Sequence, residues 1–325
     1  MGETAEVLGQ WQPSGAIGWQ ALTPEAAEPS EVELIRRGLV SGIRDYFRKT
    51  GYRKAVLGLS GGIDSSVVAT LLVDALGAEN VVGVMMPSSV SSLGSITDAQ
   101  ELARNLGIQE AVTVPIQSSS EAMLTVLEGP LAVIAAAGHR VAPPATAVLE
   151  ANIHARLRGD MVMAISNHFP EFLAVNTSNK SELDVGQCTI YGDMSGAIDP
   201  IGDLFKTEVY ALAHHLNAIR HRIPLNSITK PASAELPNAP TDEEKFGAWP
   251  VLDQVLRLNA NEHLSVDEII AQGFEANYVR RTIEQHHRIN EFKRRQSTVI
   301  FKVSRKAIGS GRRMPVAARL TRVAR

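Results

Sequence analysis

Apolar residues recur at helical spacing between Val32 and Tyr46, at Leu34, Ile35, Leu39, Ile43 and Tyr46, which predicts an amphipathic helix. Residues 1–30 show no such period and read as an arm. The pattern then changes. Lys54-Ala-Val-Leu-Gly-Leu59 is a short apolar run halted by Ser60, Gly61 and Gly62, as a buried strand stopped by glycines would be. A helix is expected from about Ser65 to Leu76, a strand over Val81–Met86 closed by Pro87, a helix over Asp98–Leu106 and a strand from Ala111 to Ile116. Pro130–Ala147 is rich in Gly, Pro and Ala and reads as a loop or a frayed helix end. Leu149–His168 reads as a helix, Phe172–Thr177 as a fourth strand, Val185–Asp203 as a glycine-spotted loop and Thr207–Leu216 as a helix. A polar, Pro-rich linker runs from Pro224 to Trp249, and two or three helices follow, the clearest over Asn277–Arg294.

Strands alternating with helices predict an α/β fold with a doubly wound parallel sheet. The expected organisation is an arm over 1–30, an α/β core over 31–225, and a linker with a helical C-terminal extension and basic tail over 226–325.

A hydrophobic share of 44% with 21% charge suits a soluble globular protein, and a net charge of −3 gives no global pull toward nucleic acid or membrane. From Arg288 to Arg325 there are twelve basic residues and one acid, Glu291. This stretch is either a solvated tail or, in its first part, a source of phosphate-binding groups. Cys188 is the only cysteine, so one chain can build no disulfide, zinc site or redox pair. The apolar run around Leu131–Gly138 falls short of the ~18 residues a membrane helix needs, and no signal peptide pattern opens the chain. A cytoplasmic location is expected.

The segment carrying chemistry is Gly58-Leu59-Ser60-Gly61-Gly62-Ile63-Asp64-Ser65, placed after the first strand and opening a helix. Adjacent glycines let backbone N–H groups face a ligand, Ser60 and Ser65 add hydroxyls, and the helix N-terminus adds its positive end. Together they suit pyrophosphate oxygens at the strand C-termini. The segment is neither a Walker loop nor a dinucleotide fingerprint. An acid among phosphate ligands repels them unless a divalent cation lies between, so Asp64 points to Mg²⁺. The plain structural reading is a glycine turn with an acid at a helix start.

Ser60-Gly-Gly-Ile-Asp-Ser65 resembles the pyrophosphate loop of the N-type ATP pyrophosphatases, whose fold is Rossmann-like (adenine nucleotide alpha hydrolase-like) and which activate a carbonyl or carboxyl oxygen by adenylation. Further segments resemble the NAD⁺ synthetase family: Asn152-Ile-His-Ala-Arg-Leu-Arg158, Asn176-Thr-Ser-Asn-Lys-Ser-Glu182, Tyr191-Gly-Asp193, Lys206, Ala232-Ser-Ala-Glu-Leu236 and Asn290-Glu-Phe-Lys-Arg-Arg295. The resemblance implies ATP contacts from the 58–65 loop, Thr177, Lys206 and Ser233. It implies a Mg²⁺ site at Asp64 and Glu182, with Lys206 as the third catalytic group. It also implies a site for deamido-NAD⁺ formed by Asn152, Arg156, Glu182, Tyr191, Asp193 and Lys293. Taken singly, Lys206 reads as a surface lysine and Arg156 as part of a solvated helix face.

The implied reaction forms an acyl adenylate from ATP and deamido-NAD⁺; ammonia then displaces AMP. The Glu291-Phe-Lys-Arg-Arg-Gln296 run is typical of the glutamine-dependent members, which carry a glutaminase ahead of the synthetase. About 30 residues precede the core here and Cys188 lies in a synthetase loop, so free ammonia or a separate glutaminase subunit is expected as the nitrogen source. Ile190 stands where ammonia-dependent members often carry a substrate-binding lysine. A homodimer with substrate near the subunit interface is also implied. Alternatives are another adenylating amidotransferase, such as a GMP synthetase-like enzyme, or a non-catalytic ATP-binding module. A tRNA-thiolating enzyme would need more cysteines and a basic RNA face.

Overall fold

Four of the apolar runs form parallel strands, β1 (Lys54–Gly58), β2 (Val81–Met85), β3 (Glu110–Thr113) and β4 (Phe172–Ala174), arranged in the order β3-β2-β1-β4. The computed structural model describes residues 28–139, 145–231, 241–312 and 314–316. Ala55 lies opposite Val81, Val82 opposite Glu110 and Lys54 opposite Phe172. A parallel bridge from Val175 to Ile198 leads to β5 (Ile198–Asp199), which pairs with β6 (Val299–Ile300). Successive strands step away from β1 through β2 and β3, while β4 takes the other side of β1. The crevice beyond the C-terminal ends of β1 and β4 is therefore the topological switch point at which open α/β sheets bind ligands.

Thirteen α-helices lie among the described residues. The first seven are α1 (Glu31–Thr50), α2 (Ile63–Leu76), α3 (Leu93–Leu106), α4 (Gln117–Ala136), α5 (Ala145–His168), α6 (Lys180–Val185) and α7 (Lys206–Ile219). The others are α8 (Leu225–Thr229), α9 (Asp242–Phe246), α10 (Trp249–Ala260), α11 (Val266–Ala271), α12 (Ala276–Arg280) and α13 (Glu291–Arg294), with a π-helical turn over Arg281–His287. Side chains alternate across β1. Ala55 and Leu57 pack with Leu39 and Ile43 of α1, Leu71 of α2 and Leu212 of α7, whereas Val56 packs with Val82, Val84 and Val162 of α5. A second core joins Trp249, Leu252, Val255 and Leu256 of α10 to Ile269, Val279 and Ile283, and it also takes in Val185 of α6 and Phe205. The C-terminal helices are thus seated on the two segments that flank the strand ends.

Several elements depart from the sequence expectation. α3 starts five residues early because the Ser92 side chain accepts the Ser95 N–H and caps it. Residues 130–136, expected as a loop or a frayed helix end, complete α4, a helix over Gln117–Ala136 that the sequence reading did not predict; the apolar residues continue past Pro130. At 20 residues and mean hydropathy 1.2, α4 is long and apolar enough to cross a membrane by length and composition alone. Leu124 and Leu127 of α4 rest on the α5 side, where Ile153 and Leu157 are buried, but Val126 and Val133 are exposed. The single helix expected over Asn277–Arg294 is broken by the π turn. Two-residue β5 and β6 are too short to leave a period, and α8 and α9 lie in the expected linker. Residues 140–144 and 232–240 are outside the described set.

His154 of α5 is buried, and desolvation followed by the charge of Arg158 pushes its pKa below 6.5. A folded-state pKa below the unfolded one means that the unfolded chain takes up the proton first as pH falls. The stability is then fully present above pH 6.5 and declines below it, by at most about 1.4 kcal/mol per pH unit for one group. In denaturant titrations between pH 7.5 and 5, His154→Leu is expected to lose stability more gently than the wild type; identical slopes would contradict this.

Candidate active site

β1 ends at Gly58, and the Leu59 N–H still donates to the Val84 carbonyl at 2.9 Å, so the chain leaves the sheet only at Ser60. Gly61 turns with φ +75°, and a Cβ there would lie 2.2 Å from the Ser95 carbonyl oxygen of α3. Glycine is required twice, for the backbone angle and for the close approach. The hydroxyls of Ser60 and Ser65 lie 3.1 Å apart, Ser65 also donates to the Gly62 carbonyl at 3.1 Å, and the Gly62 N–H donates to Ser60 at 3.2 Å. Gly62 caps α2 without any side-chain acceptor. The side chains of Leu59 and Ile63 are buried in the core and anchor the two ends of the turn. α2 presents the N–H-rich end that suits an anion.

Asp64 opens α2, Glu182 lies in the first turn of α6 beyond β4, and Lys206 begins α7. The Lys206 ammonium, 1% exposed, meets Asp64 Oδ2 at 2.5 Å and Glu182 Oε1 at 3.1 Å. Both carboxylates keep 19% of their side-chain surface open, so the acids face solvent while the lysine lies beneath them. Burial drives the Glu182 carboxyl upward; Lys206 opposes that shift and Asp64 adds to it. Lys206 is held protonated, the two carboxylates outweighing its own desolvation. Asn179, which is fully buried, ties the acids together: its amide donates to Asp64 Oδ1 at 3.0 Å, and its Oδ1 accepts the Glu182 N–H at 3.0 Å as the α6 cap.

A second cluster surrounds the loop over 186–196. Asn152 Oδ1 of α5 accepts the Thr189 hydroxyl at 2.7 Å, and Arg156 Nε donates to the Ile190 carbonyl at 3.3 Å. From the opposite side, Lys293 Nζ donates to the carbonyls of Gly186 at 2.7 Å and Cys188 at 2.8 Å. Asp193 accepts the Thr189 N–H at 2.6 Å, and protein packed around its carboxyl pushes its pKa up, though the residue's exposure limits how far. Tyr191 is exposed and left-handed at φ +63°. Gly192 lies against α5, where a Cβ would come within 2.9 Å of the Ala155 backbone. A cavity of about 310 Å³ lined by Ile190, Tyr191, Gly196 and Thr298 opens beside this loop. Asn176 links this cluster to β4 by donating to the carbonyls of Asp193 at 2.6 Å and Ser195 at 3.1 Å.

The structure therefore gathers the residues of the sequence reading into two groups. Asp64, Glu182 and Lys206 stand in direct contact beside the loop over 58–65, and Thr177 lies just past β4 between Asn176 and Asn179. Asn152, Arg156 and Lys293 grip the 186–193 loop, which Asp193 closes from within through the Thr189 N–H, with Tyr191 at its exposed tip. Ser233 and the 232–236 segment lie outside the described residues. Cys188 is buried, its thiol pushed up to about 12 mainly by burial, so it is no nucleophile at neutral pH. Asn179, Asn176 and Ser181 were hidden inside a quoted motif; Trp249 and Asp253 gave no sequence signal beyond helix periodicity.

Among the described residues no group of three or more His, Cys, Asp or Glu side chains forms a metal site. Two carboxylates that each keep an open edge are nonetheless the donors a magnesium ion takes when phosphate oxygens and water complete its shell. The desolvated Glu182 beside Asp64 is a charge arrangement that a divalent cation would relieve.

Gly61→Ala is expected to destabilise the protein by about 1–3 kcal/mol through its left-handed backbone angle and the Ser95 contact, and to weaken ATP binding. Thermal unfolding and calorimetric titration with ATP check this; wild-type values in both would contradict it.

Comparison with known proteins identifies the family. The family model for NAD synthase matches residues 35–297. A glutamine-dependent NAD(+) synthetase of Thermotoga maritima is 43% identical over 293 residues, which is 90% of this chain and 49% of that protein. The chain spans about half the length of the curated relatives it matches. Among solved structures, the glutamine-dependent NAD+ synthetase of Acinetobacter baumannii in complex with ADP superposes with a TM-score of 0.58 at 35% identity, over 90% of this chain and 50% of that one. The NH3-dependent NAD synthetase of Campylobacter jejuni gives 0.63 at 29% identity, over 81% and 96% respectively. With the family model matched over residues 35–297 and 90% of its length aligned to a relative at 43% identity, the chain belongs to the NAD synthase family.

Proposed function

We propose that this chain amidates deamido-NAD⁺ with ammonia at the expense of ATP, through an acyl adenylate, releasing AMP and pyrophosphate. The observation that carries the reading is the Asp64–Lys206–Glu182 contact beside the glycine loop at the sheet's switch point. A glutamine-dependent NAD+ synthetase 35% identical to this chain is solved in complex with ADP, which supports nucleotide binding.

Each group has a role in this mechanism. The backbone amides of Gly61, Gly62 and Asp64, with the Ser60 and Ser65 hydroxyls, receive the outer phosphates. Asp64 and Glu182 would hold Mg²⁺, which supplies charge neutralisation at the phosphates when bound. The Lys206 ammonium exchanges a carboxylate for a phosphate oxygen and offsets charge that develops as the nicotinate carboxylate attacks the α-phosphorus. The new acyl–phosphate bond forms as the bond to pyrophosphate breaks. Ammonia then attacks the acyl carbon and AMP leaves with the bonding electrons. Asn152, Arg156 and Lys293 orient the dinucleotide over the 186–193 loop, Tyr191 covers it, and Asp193 takes the proton released as the amide forms.

Similar relatives are glutamine-dependent; the donor proposed at this site is ammonia itself. Ammonia reaches the site free or from a glutaminase. The reading also makes the protein a homodimer, supported by the exposed apolar side chains Val126, Leu131, Val133 and Ile134 of α4, which a second copy would cover.

Two experiments test these proposals. NAD⁺ formation is measured with ATP, Mg²⁺ and deamido-NAD⁺, with ammonium chloride or glutamine as donor. Turnover with ammonium and none with glutamine is expected, and Asp64→Asn should reduce it at least ~10²-fold with the fold intact; unchanged turnover would contradict the site assignment. Light scattering should show a dimer that Val126→Glu together with Val133→Glu converts to monomer. A wild-type monomer at assay concentration would remove the dimer claim.

A further inference from the structure

The C-terminal extension reaches Lys206 from one face of one helix. Trp249 and Asp253 of α10 are four residues apart and occupy successive turns of the same side. Trp249, 3% exposed, lays its ring 5.4 Å from Lys206 Nζ. Asp253, equally buried, accepts the Ser181 hydroxyl at 2.5 Å through Oδ1 and the Thr207 N–H at 2.9 Å through Oδ2. Ser181 Oγ in turn accepts the Lys206 N–H at 2.8 Å.

These contacts answer a specific deficiency. The first N–H groups of a helix need acceptors, and the residue before the helix ordinarily supplies one from its side chain. Phe205 holds that place in α7 and has no oxygen to offer. The N–H groups of Lys206, which is buried, and of Thr207, which is half-buried, therefore end on Ser181 from α6 and Asp253 from α10. The same Ser181 precedes Glu182, so one hydrogen-bonded pair fixes the backbone of both the ammonium and one of its carboxylates.

We propose that Asp253, acting with Ser181, is a positioning residue for Lys206: a helix cap supplied in trans by the C-terminal extension sets where the catalytic ammonium stands and makes that extension part of the reacting site. The inference rests on the reading of Lys206 as the group that meets the transferred phosphate. Misplacing such a group by about 1 Å is enough to lower a rate ~10²-fold.

The test uses the full chain with ATP, Mg²⁺, deamido-NAD⁺ and ammonium chloride. Asp253→Ala and Ser181→Ala are each expected to lower kcat by ~10²-fold while leaving KM for deamido-NAD⁺ within about threefold. The double variant should be little worse than the poorer single one, since both break one chain of contacts. Ser181→Thr, which keeps the hydroxyl, should recover most of the activity. Independently of turnover, acylation of Lys206 by an amine-reactive reagent, followed by mass spectrometry, should speed up in Asp253→Ala because the ammonium is no longer fixed beneath its acids. If Asp253→Ala does not fold, Ser181→Ala decides through the same readouts. An inactive wild type with faster Lys206 labelling in the variants would overturn the functional reading and keep the positioning role. An active wild type whose variants match it in kcat and in labelling would overturn the positioning role alone.

Discussion

A single buried ammonium under two half-open carboxylates is the constraint on which the site depends. Asp64 and Glu182 approach each other because Lys206 lies between them, and without it the two carboxylates would repel. Two acids share one ammonium, and their open edges lie beside the glycine loop. On the proposed reading, such an arrangement disfavours a bare polyphosphate and admits one accompanied by a divalent cation. The glycine loop alone would be a general anion cradle; the acids beside it make it selective for a metal-bound nucleotide in this account.

Three parts of the fold converge to keep that ammonium in place. β1 delivers Asp64 at the start of α2, β4 delivers Asn179 and Glu182 at the start of α6, and the strand order brings both to one crevice. α7 then starts at Lys206 itself, and α10 closes over it. The second core exists to seat α10 against Val185 and Phe205. Farther out, the 186–193 loop is held by Asn152, Arg156 and Lys293 through its hydroxyl and carbonyl groups. Contacts of that kind can be exchanged for a substrate carboxylate or pyrophosphate, which fits a loop that rearranges over its ligand.

The sequence made the sheet legible because β1 and β2 are buried on both faces and therefore read as continuous apolar runs. It made the phosphate loop legible because two adjacent glycines, two serines and an acid have few other uses at a strand–helix junction. Lys206 was another matter. Nothing local distinguishes it from a surface lysine, and only the resemblance singled it out before the structure buried it between two acids. Asp253 was invisible for the opposite reason: its role comes from a tertiary contact that supplies what Phe205 lacks, and no window around residue 253 contains that information. The start missed at α3 was decided by a serine cap, and α4, missed as a whole, by apolar residues that run past a proline. β5 and β6, of two residues each, are set by pairing partners a hundred positions apart.

The most direct test of this account is a crystal structure of the protein with ATP and Mn²⁺ in place of Mg²⁺, with the metal located by its anomalous signal. The account predicts the peak between Asp64 and Glu182, phosphate oxygens on the Gly61–Gly62 amides, and the Lys206 ammonium on a phosphate oxygen. A metal bound elsewhere, or a nucleotide that leaves the glycine loop and both carboxylates untouched, would contradict it.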